Sequence, residues 1–177
     1  MSSYPVTIEQ PDGESRTAVH FFWVQVVPCR HCGEVVEAHP HYRLASEAER
    51  DEQWVFCKHC HEVCSRSRTA TRFSCRSCCR NTVIEQGTVE RGVLCCPYCS
   101  TEEPLIEVAA RTHRPPTWRL FALESIPSGP RRCRTLMADR IFQKVTKQDV
   151  VLYQSARRAL ARRIRARSNS KSTSWSR

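Results

Sequence analysis

Glycine is scarce, with 5 in 177 residues and none in a Gly-x-Gly arrangement, so a glycine-rich loop cradling a nucleotide is excluded. Aromatic residues make up only 8% and apolar residues 40%, which lets the chain fold but gives no single large core. Long hydrophobic runs are also missing. The longest, AVHFFWVQVV at 18–27, is interrupted by His20 and Gln25 and is too short to span a bilayer, so no membrane partner is expected. The opening MSSYPVTIEQPDGESR lacks the charged-then-apolar pattern of an export signal. These absences predict a soluble chain in a reducing, intracellular (cytoplasmic) compartment.

What the sequence does have is cysteine, 12 in all. In a reducing compartment, clustered thiols point to metal rather than to disulfides. Four pairs carry two intervening residues: Cys29 and Cys32, Cys57 and Cys60, Cys75 and Cys78, Cys96 and Cys99. That spacing lets one tight turn aim both sulfurs at a single ion, and backbone N–H groups of the turn favour the thiolate form. Eight ligands satisfy two closed, structural zinc ions. Cys79 and Cys95 would make poorer three-residue gaps and are read as non-ligands, as are the surplus Cys64 and Cys133. His61 with Cys64 is weighed as an alternative half-site and set aside. Sequential pairing is favoured because it closes loops of 24 residues (Cys32 to Cys57) and 17 residues (Cys78 to Cys96). Nested and crossed pairings stay open. No open coordination position is implied, and neither a catalytic residue nor a small-molecule substrate is expected.

Charge is distributed unevenly. Residues 1–110 hold 11 Lys and Arg against 15 Asp and Glu, whereas 111–177 hold 17 against 3, within a net +10. A helix is predicted over 146–167. Thr146 caps it, Asp149 sits three residues on, and Val150, Tyr153, Ala156, Leu160 and Ile164 form an apolar stripe. Arg157, Arg158, Arg162, Arg163, Arg165 and Arg167 cover its last turns with no acid among them, a pattern suited to phosphates and hence to DNA. The competing reading is a solvated face around a stripe that docks on a protein partner. Trp23, Trp54 and Phe56 could stack on bases, but beside a knuckle such residues more often fill the small core. His39 and His41 flank a proline in a predicted loop and are given no role.

The predicted fold class is a small zinc-stabilised α+β chain of tandem zinc ribbons, a short β region and a C-terminal basic helix. A flexible leader is expected at 1–17, a first ribbon at 18–64, a second at 65–101 and a β or extended region at 102–145. The basic helix at 146–167 and a disordered tail at 168–177 complete the order. Within this order, 44–53 read as one or two helical turns, and Thr82–Ile84 with Val93–Leu94 as two arms of one hairpin. Leu105–Ala110 reads as a strand, 113–116 as a stiff turn and 127–134 as a loop.

The stretch FFWVQVVPCRHCGEVVEAHPHYRLA, followed by WVFCKHC, FSCRSC, GVLCCPYC and RLFALESI…DRIFQKVTKQDVVLYQSA, resembles the zinc-ribbon segment and downstream helix of large adenine-specific DNA methylases. The likeness spans 20–160. It implies a methyltransferase or restriction-modification setting, with DNA and a catalytic methyltransferase subunit as partners. The family's catalysis needs an Asp/Asn-Pro-Pro-aromatic motif and a glycine-rich loop for S-adenosylmethionine. Here the lone Pro-Pro lies between Arg114 and Thr117, and the usual glycine after a knuckle is replaced by His61, Cys79 and Ser100. The chain is therefore not expected to be an enzyme on its own. As part of a split enzyme it would serve an S-adenosylmethionine-dependent, adenine-specific DNA methyltransferase.

Overall fold

Apolar residues ending at a tight turn and resuming after it make an antiparallel hairpin, and this sequence does so four times. In the computed structural model, which describes residues 6–9, 15–112, 116–128 and 139–172, the order begins with β1 (Val6–Glu9), β2 (Ser15–Pro28), β3 (Val35–Glu37), β4 (Arg43–Glu47) and β5 (Glu52–Phe56). It continues with β6 (Val63–Ser67), β7 (Arg72–Ser74), β8 (Asn81–Val83), β9 (Val89–Glu90), β10 (Val93–Cys95) and β11 (Glu102–Pro104). Helix α1 (Leu105–Thr112), β12 (Thr117–Pro127), β13 (Ile141–Lys144) and α2 (Lys147–Ser172) complete it. The fold is mostly β. Strands follow the orders β1-β2-β12-β13 with β3 also on β2, β4-β5-β6, β7-β8 and β11-β10-β9. Two units are distinguished: a larger one of His20–Glu124 with Ile141–Lys144, and a smaller one of Met1–Val19, Ser125–Arg140 and Val145–Arg177.

Each CxxC pair sits between two strands that pair antiparallel with one another. The four pairs of strands are β2 with β3, β5 with β6, β7 with β8, and β10 with β11. This corrects the hairpin expected from Thr82–Ile84 and Val93–Leu94, whose strands β8 and β10 pair with β7 and with β9 and β11 instead. Among the described residues, the larger unit contains three small cores. Val27, Val36, Leu94 and Val108 pack with Cys29 and Cys96, and Val55, Phe73 and Ile84 pack with Cys57 and Cys75. The third core, formed by Val24, Tyr42, Phe56, Phe121 and Ala122, is the only one of these three without cysteine. Phe56 and Phe121 lie 4.9 Å apart, and Tyr42 meets Phe56 edge-on at 5.4 Å. Such pairs add about 0.5–1.5 kcal/mol each beyond area burial. Trp54 is buried too, against Phe142 at 4.8 Å. Trp54 and Phe56 are core residues, whereas Trp23 is 39% exposed.

Several local expectations change. Residues 44–53 form β4, a turn and the start of β5, because cross-strand pairing with the buried Trp54–Phe56 strand outweighs the helix preference of Ala and Glu. Leu105–Thr112 is a helix, not a strand. Its Leu105 and Val108, three residues apart, meet the first core while Ile106 points outward at 80% exposure. Arg111 of α1 forks onto buried Glu103 of β11 with both N–O distances at 3.1 Å and also donates to the Pro28 carbonyl. The expected flexible leader is in part a strand: β1 pairs with β2 from Val6 opposite Ala18 to Glu9 opposite Ser15. In the smaller unit, buried Arg16 donates to Ser125 Oγ, the Ser125 carbonyl and the Asp139 carbonyl. Helix α2 extends to Ser172, past the boundary at 167, because 168–172 continue its backbone. The 113–116 turn, the 127–134 loop and the 168–177 tail lie wholly or partly outside the described residues.

Gly87 runs close against a neighbouring stretch of backbone. A Cβ placed there would meet the His39 carbonyl oxygen at 2.0 Å and the Pro40 carbonyl carbon at 2.4 Å. The same His39 carbonyl accepts from Thr88 N at 2.7 Å and Val89 N at 3.1 Å. A backbone neighbour cannot rotate aside as a side chain can, so Gly87→Ala is expected to cost about 1–3 kcal/mol, the range of overpacking. Denaturant titration checks this, and an unchanged midpoint would contradict the close approach.

Candidate metal centres

The four knuckles repeat one pattern of backbone hydrogen bonds. The residue after each pair donates to the first cysteine's carbonyl: Gly33 to Cys29, His61 to Cys57, Cys79 to Cys75 and Ser100 to Cys96, at 2.8–3.1 Å. Each first cysteine N–H in turn donates 2.9 Å to the carbonyl five residues on, at Glu34, Glu62, Arg80 and Thr101. Closing that turn requires a left-handed residue. Gly33 has φ 76°, and His61, Cys79 and Ser100 adopt 60°, 56° and 58°. The missing glycines therefore leave the turn intact, at a cost of about 1–2 kcal/mol per substituted position.

Tips of these hairpins meet in two groups of four sulfurs. Cys29, Cys32, Cys96 and Cys99 form one, and Cys57, Cys60, Cys75 and Cys78 the other. Pairing is nested, which corrects the sequential order. Cys57 and Cys75 belong to one core and Cys29 and Cys96 to another, so the packing of Val55 with Phe73 and of Val27 with Leu94 selects the partners. A boundary at 64/65 separates sulfurs that the fold unites. Cross-hairpin sulfur separations are 3.6 Å (Cys29–Cys99), 3.7 Å (Cys32–Cys96), 3.6 Å (Cys57–Cys78) and 3.6 Å (Cys60–Cys75). A zinc with sulfurs at about 2.3 Å in a tetrahedron separates them by about 3.8 Å, so the donor sets fit zinc closely. They are far too long for disulfides, whose sulfurs lie about 2.05 Å apart. Each group could hold one structural zinc.

The thiols are tuned unequally. Side-chain and backbone hydrogen bonds from Thr101 bring Cys99 down to about 5. Burial opposes ionisation at Cys75, yet the N–H groups of Cys78 and Ser77 and the neighbouring thiols bring it to about 7. Cys60 is pushed up to about 12, by burial first and by the three thiols it faces. Four thiolates cannot coexist this closely without a cation, and a divalent ion supplies that charge. Cys79 and Cys95 are exposed and stand outside both groups, and Cys64 is half-buried beside the second. Cys133 lies outside the described residues.

At α2, Thr146 and Asp149 form a reciprocal cap. Thr146 N and Oγ1 donate to Asp149 Oδ2 at 2.8 and 2.7 Å, and Asp149 N donates to Thr146 Oγ1 at 3.2 Å. Along the stripe, Val150, Tyr153 and Ala156 are half-buried, whereas Leu160 and Ile164 are exposed. Arg157, Arg158 and Arg162 are exposed; the side chains of Arg163, Arg165 and Arg167 lie outside the described residues.

One cluster is not expected from the sequence. Glu37, His39 and His61 bring ligand atoms within 4.8 Å of one another. His39 is buried, not a bystander in a loop: its ring packs 4.9 Å from both Phe56 and Phe121, and burial drives its pKa down to about 4. The only hint is His61 in the place of a knuckle glycine. Among the described residues, no helix is long and apolar enough to cross a membrane. No family model, no curated protein and no solved structure matches the chain.

Proposed function

We propose that the chain is a zinc-stabilised DNA-binding module that works with a methyltransferase of restriction-modification type, in a reducing intracellular compartment, and is not catalytic by itself. In this reading the two four-cysteine centres hold zinc-ribbon hairpins as a rigid body, and α2 supplies phosphate contacts. The carrying observation is α2 itself. After Asp149 in its capped first turn it contains no further acid, while Arg157, Arg158 and Arg162 stand exposed and Arg163, Arg165 and Arg167 follow in sequence. Arginines on one helix with no acid among them attract a polyanion and release its counterions. The methyltransferase setting rests on the sequence resemblance over 20–160.

Binding of a duplex oligonucleotide, followed by fluorescence anisotropy across a salt series, tests this. Changing Arg157, Arg158, Arg162 and Arg163 to Gln is expected to weaken binding at least about tenfold at low salt. It should also flatten the log–log salt slope by about 3 to 4, near one unit per phosphate contact. Unchanged affinity would sink the DNA reading. Exposure of Leu160 (56%) and Ile164 (60%) favours a second reading, in which the stripe docks on a catalytic partner while the arginines stay solvated. Methyl transfer from labelled S-adenosylmethionine by the pure chain would overturn the non-catalytic assignment.

A further inference from the structure

The geometry points to a third metal site at Glu37, His39 and His61, distinct from the four-cysteine centres and open where they are closed. It stands independently of the DNA reading. Glu37 ends β3, and His39 follows two residues later, its N–H held by Thr88 Oγ1 at 2.9 Å and its carbonyl by Thr88 and Val89. His61 is fixed by the Cys57 knuckle, its N–H donating to the Cys57 carbonyl at 2.9 Å. These separate anchors aim both imidazole Nε2 atoms at one carboxylate oxygen. Glu37 Oε2 lies 2.6 Å from His61 Nε2 and 3.3 Å from His39 Nε2. Ligands about 2.0–2.1 Å from a common ion are separated by about 2.9–3.4 Å, a range that the His39 separation already meets and that the His61 separation reaches by opening a few tenths of an ångström.

The surroundings suit a metal of the borderline class. Phe56 and Phe121 wall both imidazoles and Tyr42 that of His39, lowering the local polarity that would otherwise weaken a charge-neutralising bond. Arg119 meets the other carboxylate oxygen, Glu37 Oε1, and Oε2 faces the imidazoles. Two imidazoles and one carboxylate select first-row divalent ions such as Zn²⁺, Co²⁺ or Fe²⁺ over Mg²⁺ or Ca²⁺, which prefer all-oxygen sites. Three protein ligands leave positions for water or an exogenous ligand, as catalytic rather than structural sites do. The left-handed backbone at His61 does not by itself single out histidine, since Cys79 and Ser100 occupy the equivalent place in other knuckles. The aim of its side chain does.

Co²⁺ added to the purified two-zinc chain is the probe, with bound metal counted after equilibrium dialysis and the visible spectrum recorded. Wild type is expected to take up one Co²⁺ beyond its two zincs, showing weak d–d bands without sulfur-to-metal charge transfer. His61→Gly removes one ligand and gives the knuckle the residue it accepts without strain. It should keep both zincs while weakening the third site by about 100-fold or more. If His61→Gly sheds a zinc, Glu37→Gln, which lies outside every knuckle, makes the same comparison. Wild type that binds no third ion, or an otherwise intact variant that binds it as well as wild type does, would overturn the site and leave a hydrogen-bonded triad only.

Discussion

Removing zinc from the purified chain is expected to unfold the larger unit, releasing two equivalents of metal as its near-ultraviolet circular dichroism disappears. Two of its three cores are built around the ligand cysteines themselves: Cys29 and Cys96 in one, Cys57 and Cys75 in the other. Strands β7, β8, β10 and β11 have three residues each, too short to persist as isolated hairpins. A structural zinc contributes about 10–16 kcal/mol at neutral pH, against a total stability of about 5–15 kcal/mol for an ordinary domain. Losing both centres therefore removes more than the whole net stability of an ordinary domain. A chelator-sensitive dye counts the zinc released. One equivalent or none, or a chain still cooperatively folded after metal loss, would remove the two-centre account.

The second large effect distinguishes nested from sequential pairing. Replacing Cys29, Cys32, Cys96 and Cys99 by Ser together dismantles one centre and is expected to leave one zinc bound, because Cys57, Cys60, Cys75 and Cys78 stay complete. Replacing Cys29, Cys32, Cys57 and Cys60 instead takes half of each centre and should leave none tightly held. Sequential pairing predicts the reverse, with no zinc in the first variant and one in the second. A crossed arrangement would leave none in either. One retained zinc in the first variant is therefore the decisive result. Cobalt substitution adds an independent readout, since the charge-transfer intensity of the surviving centre reports four thiolates.

The knuckles are legible in the sequence because two-residue spacing constrains only a local turn, and the repeated bonds at Cys29, Cys57, Cys75 and Cys96 follow from it. The cap at Thr146 and Asp149 is legible for the same reason, being contained within one helical turn. Residues 105–112 mislead because the short, mostly apolar stretch Leu105–Ala110 fits either period, and only packing of Leu105 and Val108 against Val27 and Val36 shows which applies. His39 misleads because a histidine beside proline looks like loop. Its burial comes from Phe56 and Phe121, the second of them 82 positions away in the numbering.

By itself, then, the sequence determined the eight candidate sulfurs, the absence of a Gly-x-Gly cofactor loop, and a charge contrast culminating in the arginines of 157–167. Tertiary structure alone decided which knuckles face each other and that Glu37, His39 and His61 converge. Spacing acts through a few bonds of one turn and is written locally. Partner choice depends on which small apolar clusters bury together, and loop entropy, varying only with the logarithm of loop length, discriminates too weakly between the sequential loops of 24 and 17 residues and the nested ones of 14 and 63 to fix it.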